Sequence, residues 1–156
     1  RNAFDAVRES FQTSFRELAR GHGDIRLENE EDPFAGGLIV EAQPRGKSLK
    51  RLDALSGGEK SLTALAFTFA LQSVNPAPFY VLDEVDQMLD GPNSEQLSLA
   101  IKKRSLARQY LVISHHQAMI RVSDQLLGVT MRKGESTKIA ILNLREDSRE
   151  LTSAGA

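Results

Sequence analysis

"LDALSGGEKSLTALAFTFAL", residues 52–71, sets Ser56-Gly57-Gly58 directly before a long apolar run. The spacing predicts a helix over 57–74. Leu62, Leu65, Phe67, Phe69, Leu71 and Val74 lie all round its axis, so it is expected to be largely buried. Asn75-Pro76-Ala77-Pro78 stops it. Ser56 is a natural N-cap, and Gly57 and Gly58 let a ligand come close to the backbone. Free N–H groups and the helix dipole at such a start favour an anion, phosphate above all. Taken alone, the plainer reading of Ser-Gly-Gly is a capped helix with a flexible entry.

Outward from this helix the pattern changes. "FYVL" at 79–82 is a continuous apolar run ending in Asp83 and Glu84, and "YLVI" at 110–113 is another, ending in Ser114-His115-His116. Such runs read as strands buried on both faces of a parallel sheet. Residues 94–108 between them read as an amphipathic helix with Leu97, Ala100 and Ile101 inward, completing a βαβ unit. Ligands of such sheets bind at the carboxyl ends of the strands. Those ends carry Asp83, Glu84 and His115 here, near the start of the glycine-led helix.

At the amino end, Phe4, Val7, Phe11, Phe15 and Leu18 recur at helical spacing, with Gly21 and Gly23 as the stop. "DIRLEN" and "GLIVEA" read as short strands, and "EEDPFAGG" as the loop joining them. "QPRGKSLKRLD" reads as a polar, basic loop or edge hairpin. "LLGVTM" and "KIAIL" add two strands. The expected organisation is an amphipathic helix at 1–20, an α/β region at 21–142 and a polar, fraying tail at 143–156.

The chain has 156 residues, 40% hydrophobic and 26% charged, ordinary values for one globular domain with a real core. Its net charge of −1 gives no bulk case for nucleic acid. It has no cysteine, which excludes disulfides and thiolate metal sites and fits a reducing cytosol. The longest apolar stretch, within 62–71, is interrupted by Thr63 and Thr68, and a membrane span needs about 20 such residues. No secretory leader pattern opens the chain. It starts at Arg1, within a helical pattern, and reads as a piece of something longer.

An Asp ending a buried strand suits Mg²⁺. Neighbouring strand residues face opposite ways, so Asp83 is expected to turn toward metal and Glu84 toward an attacking water. The plainer reading is a solvated strand end. His115 has the chemistry to donate to a phosphate oxygen. His116 is equally available and is expected to be the surface residue of the two. Asp90, in "MLDGPN", reads by itself as turn chemistry. "EAQPRGKS" ends like a phosphate-binding P-loop, but that loop requires glycine where Glu41 stands, and "LKRLD" rather than an apolar helix follows. No other stretch fits a P-loop.

Together these pieces resemble the carboxy-terminal half of an ABC-type ATPase head, that of structural maintenance of chromosomes (SMC) proteins of prokaryotic type in particular. "LSGGEKSLTALAF" resembles their signature motif, and "PAPFYVLDEVDQMLD" their Walker B and D-loop. "DPFAGGLIVEAQPRGK" and "GVTM" are similar to SMC sequence outside the general ABC motifs. The resemblance runs from about Phe4 to Leu142.

It implies an ABC-ATPase head lobe with a mainly parallel sheet, flanking helices and a coiled-coil root at 2–20, whose first residues face a partner helix. It implies ATP and Mg²⁺ as cofactors. Ser56, Gly57 and Gly58 would contact the γ-phosphate of ATP held by a second head. Asp83 would serve Mg²⁺, Glu84 would be the catalytic carboxylate, Asp90 would belong to the D-loop at the dimer interface, and His115 would be the switch residue. Pro92 departs from the usual D-loop and fixes φ there.

The partners implied are an amino-terminal half bearing Walker A, a second head, a kleisin subunit on the outer strands near the carboxyl end, and DNA, with no membrane. The setting implied is cytoplasmic and nucleoid-associated. Lys47, Lys50, Arg51 and Lys102 to Arg104 are the basic candidates for DNA, although surface cations are usually only solvated. The alternatives are an ABC transporter subunit, from which Glu59-Lys60 and Val85 depart, an SMC-like DNA-repair ATPase, and a non-catalytic half-head that docks a kleisin.

Overall fold

The computed structural model describes residues 2–131, 134 and 136–144. The order is α1 (Asn2–Ala19), β1 (His22–Leu27), β2 (Leu38–Gln43), β3 (Lys50–Arg51), α2 (Gly57–Val74), β4 (Phe79–Asp83), α3 (Gly91–Ser105), β5 (Gln109–Ile113), α4 (Gln117–Val122), β6 (Gln125–Thr130) and β7 (Lys138–Asn143). A single 3-10 turn, Leu52–Ala54, leads into α2.

The core lies where α1 packs along α2. Phe11, Phe15 and Leu18 are buried in one cluster with Leu62, Leu65, Ala66, Phe69 and Ala70. The Phe11 ring stands 6.2 Å from Phe67, edge to face, and 5.8 Å from Phe15. Both geometries are favourable for aromatic pairs. From α3, the Arg104 guanidinium lies 4.3 Å over the Phe69 ring and pairs with Glu17 of α1 at 2.7 Å. One cation thereby ties three helices together. Phe4 and Val7 are partly buried against this same cluster, so the first turns of α1 are engaged by the chain's own core.

Two expectations about helices change. Leu71 and Val74 are exposed, so α2 is buried along one side and open along part of the other. The end of α1 is set by Arg20, with φ of 50°, whose N–H donates to the Arg16 carbonyl at 3.1 Å. The glycines after it answer to packing. A Cβ on Gly21 would lie 2.0 Å from the Gln43 carbonyl oxygen, and one on Gly23 would lie 2.6 Å from the Phe15 ring. They let β1 press against both its neighbouring strand and α1. Arg8 locks the same junction, donating Nε to Asp24 Oδ1 at 2.7 Å and Nη2 to Oδ2. This bidentate pair, with further bonds from Gln12 and the Ile25 N–H, holds the Asp24 carboxyl at about 2, well below its usual value.

The sheet is not mainly parallel. β1, β2 and β3 form an antiparallel sheet, β6 and β7 an antiparallel pair, and only β4 and β5 run parallel among the described residues. Parallel pairing needs a crossover, and the segment around α3 supplies it for β4 and β5 alone, while β2–β3 and β6–β7 connect as hairpins. Nor are β4 and β5 buried on both faces. Leu82, Tyr110 and Val112 face the core, with Tyr80 half-buried beside Tyr110, but Phe79, Val81, Leu111 and Ile113 are 58%, 53%, 48% and 48% exposed. The polar tail begins later than expected. Asn143 pairs with Gln125 in β7, and Leu144 N–H donates to the Asp124 carbonyl. Residues 145–156 lie outside the described residues.

Gly21→Ala is expected to cost about 1–3 kcal/mol, because its methyl meets rigid backbone rather than a mobile side chain. The urea midpoint measures this. An unchanged midpoint would contradict the packing role assigned to Gly21.

Candidate functional site

The first group of residues surrounds the start of α2. Ser56 is the N-cap, with φ of −68° and ψ of 165°. Its N–H and its Oγ both donate to Glu59 Oε2, each at 2.9 Å. Lys47 Nζ stands 2.7 Å from the other oxygen, Glu59 Oε1. That lysine, helped by the Ser56 N–H, holds the Glu59 carboxyl at about 2 against an ordinary 4.5. Lys47, from the Gly-Lys-Ser stretch that lacks the P-loop spacing, is therefore bound to the start of α2. Glu59 was legible as the fourth residue of an S-x-x-E capping pattern. Lys47 carried no local signal, since it arrives through the turn between β2 and β3.

The two glycines differ. A Cβ on Gly57 would meet nothing within 4 Å, so this position is open to a ligand. One on Gly58 would lie 3.1 Å from the Met88 carbonyl oxygen. Gly58 thus serves close packing against the turn that follows Glu84.

Ser56, Gly58 and Asp90 line one open cavity of about 490 Å³, with Arg20, Arg45 and Lys47 on its wall. The carboxylates of Glu59 and Asp90 line it too, which leaves a small excess of positive charge beside the helix start, suited to an anion. Asp90 is the N-cap of α3, where its Oδ1 accepts from Asn93 N–H at 3.0 Å. Pro92 sits in the first turn of that helix, where its fixed φ fits and no N–H is needed.

The second group lies at the ends of β4 and β5 and does not line this cavity. Asp83 is the last residue of β4, exposed, with no side-chain hydrogen bond or ion pair among the described residues. In register with Ile113, it continues the face of Val81 and Leu111. Glu84 is already out of the strand, with φ of 47°. The strand pleat therefore does not aim it, contrary to expectation; the left-handed turn does. Glu84 N–H donates to the Ile113 carbonyl at 2.9 Å, and its own carbonyl accepts from Gln87 N–H at 3.1 Å. A non-glycine residue held at positive φ is strained and persists only where its surroundings impose it.

His115 Nε2 comes within 3.4 Å of Glu84 Oε1. The two histidines reverse their expected roles at the surface: His115 is exposed, and His116 is half-buried as the N-cap of α4. Geometry thus brings Glu84 and His115 together and leaves His116 to start a helix. Among the described residues there is no group of three or more potential ligands that could hold a metal. Asp83 offers a free carboxylate, which fits one ligand's share of a Mg²⁺ site and no more.

Four of the DNA candidates are already engaged, Lys47 with Glu59 among them. Lys102 pairs with Asp124, Lys103 with Glu17, and Arg104 with Glu17. No helix among the described residues is long and apolar enough to cross a membrane.

The family model described as the RecF/RecN/SMC N terminal domain matches residues 12–138. Chromosome partition protein Smc of Gloeobacter violaceus is 47% identical over 146 residues, which are 94% of this chain and 12% of that protein. The Smc protein of Methanocaldococcus jannaschii is 49% identical over 138 residues, 88% of this chain and again 12% of that protein. The chain thus spans about an eighth of these relatives' length. Among solved structures, the Pyrococcus furiosus Smc head domain, with an extended coiled coil and bound to the C-terminal domain of ScpA, superposes with a TM-score of 0.90. It is 43% identical, and the match covers 98% of this chain and 38% of that one. A structure from work on ATP-driven dimerization and DNA stimulated activation of SMC ATPases gives a TM-score of 0.85 at 40% identity, covering 99% of this chain and 94% of that one.

Glu59 supplies a pH test. Its folded value lies below its unfolded one, so its stabilisation is present above about 4.5 and is lost as pH falls toward about 2. The stability gap between the native protein and Glu59→Gln, read from urea unfolding, should be constant near neutrality and close across that window. A gap independent of pH would remove the charged Lys47–Glu59 contact from the account.

Proposed function

The chain belongs to the RecF/RecN/SMC N-terminal domain family, and from that we propose that it is the carboxy-terminal half of an SMC ATPase head. The family description names an N-terminal domain, so the choice of half rests on motif content. "LSGGEK" and "FYVLDE" are present at 55–60 and 79–84, and no stretch has the spacing of a P-loop. The lobe is residues 21–142, and α1 is the root of the coiled coil.

The observation that carries this reading is the uncovered apolar face of β4 and β5. Phe79, Val81, Leu111 and Ile113 leave it half open, and the free Asp83 carboxylate sits at its end. An amino-terminal half bearing Walker A would cover that face and bring a bound nucleotide to Asp83. When bound, ATP and Mg²⁺ supply the phosphoryl bond to be broken and the charge that neutralises it. Asp83 serves the metal side. Glu84, turned out of the strand, accepts a proton from the attacking water, and His115 beside it donates to phosphate. Ser56 and the backbone N–H groups of Gly57 and Gly58 face the γ-phosphate of ATP held by a second head, with Asp90 at the same interface.

The separation of the two groups favours this division. The start of α2 and the ends of β4 and β5 serve different nucleotides in a pair of heads, each site being completed across the dimer. The exposed apolar hairpin β6–β7, with Val129, Ile139 and Ile141 outward, is the surface we assign to a kleisin. Of the basic residues weighed for DNA, Lys50 and Arg51 on the edge strand β3 are the ones we retain. The function is ATP-driven head engagement in chromosome partition, in a cytoplasmic, nucleoid-associated setting.

Mixing tests this directly. The chain alone should show no ATP hydrolysis, and adding the amino-terminal half should produce ATP-dependent dimers and slow turnover. Turnover by the isolated chain at the reconstituted rate would overturn the proposal. In the complete protein, Glu84→Gln should keep ATP binding and engaged dimers while turnover falls by about 10²–10⁴-fold. Undiminished turnover would take Glu84 out of its role.

A further inference from the structure

Asp86 is 1% exposed, a buried carboxylate two residues beyond Glu84. Burying an acid is costly unless its oxygens are bonded, and an apolar residue of similar size would serve stability at least as well. Its partner is Ser114, the residue that follows β5: Ser114 Oγ donates to Asp86 Oδ2 at 2.5 Å. The same Oγ accepts from the His116 N–H at 2.9 Å. The hydroxyl therefore fixes the backbone on both sides of His115. On the other side of the loop, the Glu84 N–H is bonded to the Ile113 carbonyl, and the Leu89 N–H donates to the Asp86 carbonyl at 3.0 Å. Glu84, Asp86, Ser114 and His115 form a closed ring. Its fourth side is the 3.4 Å approach of His115 Nε2 to Glu84 Oε1.

We propose that Asp86 and Ser114 are positioning residues for hydrolysis: their bond holds the 114–116 turn so that His115 faces Glu84, and it helps keep Glu84 in its left-handed conformation. This rests on the assignment of Glu84 and His115 to the hydrolytic site. Neither Asp86 nor Ser114 lines the cavity at the start of α2, so nucleotide contacts there are left alone. A hydroxyl at 114 and an acceptor at 86 are what the device requires; the charge of Asp86 is secondary.

The test is ATP hydrolysis by the complete SMC protein. Ser114→Ala and Asp86→Ala should each lower kcat roughly 10- to 100-fold, the effect of a misplacement of about 1 Å, with KM for ATP within about twofold. Ser114→Thr, which keeps the hydroxyl, and Asp86→Asn, which keeps the acceptor, should retain most of the turnover. Should Asp86→Ala fail to fold, the half-buried Ser114 carries the test. An unchanged kcat in Ser114→Ala, or a loss that neither conservative variant restores, would overturn the inference. Glu84→Gln measured alongside separates the two levels. If it abolishes turnover while Ser114→Ala leaves kcat unchanged, the positioning role alone falls. If Glu84→Gln is itself silent, the assignment of the hydrolytic site falls and this inference with it.

Discussion

Phe11, Phe15 and Leu18 of α1 lie buried against α2 beside Leu62, Ala66 and Phe69, and the placing of both groups of polar residues follows from that contact. Each such side chain contributes about 1.5–3 kcal/mol on burial. An exposed pair such as Arg26–Glu41 is worth about 0–1 kcal/mol, so apolar packing decides the geometry and the ion pairs adjust it. Once α2 is seated, its amino end points at the cavity shared with Asp90. Gly58 then brings that end against the Met88 carbonyl, in the turn that starts at Glu84. The helix start and the strand ends belong to separate groups, but they touch through one backbone contact.

The helix start itself is prepared rather than empty of interactions. Ser56 is tied to Glu59, and Glu59 to Lys47. A carboxylate at the first turn of a helix offsets part of the dipole that would attract phosphate. Lys47 offsets that carboxylate in turn. The net result is a cradle whose serine is held in place and whose local charge is balanced before any anion arrives. At the strand ends the order is different. Strained backbone at Glu84 is held by the Ile113 carbonyl and by the bond between buried Asp86 and Ser114, while Asp83 is left free.

Much of this was legible in the sequence because it is local. The helix periods of α1 and α2, the apolar runs of β4 and β5, and Ser56 as an N-cap depend on neighbours within a few residues. The misreadings concern relations between distant segments. Continuous apolar runs predicted strands covered on both faces; the described residues cover only one. The pleat was the expected reason for Asp83 and Glu84 to diverge; Glu84 has left the strand at positive φ, so the pleat does not set its direction. Gly21 and Gly23 looked like helix stops, yet their role is set by Gln43 and Phe15. Asp86 gives no local signal: a third acidic residue after a strand has the pattern of a solvated one, and its burial is set with Ser114, far along the chain.

The central claim is that Ser56 and Glu84 of one chain serve different nucleotides. The direct test is complementation between two complete proteins, one bearing Ser56→Arg and the other Glu84→Gln, each inactive alone. In a mixed dimer, one site would combine the native Glu84 of the first protein with the native Ser56 of the second. With random pairing, mixing equal amounts should therefore restore roughly a quarter of native ATP turnover. No recovery, with mixed dimers shown to form, would mean that both residues act on the same nucleotide and would contradict the account.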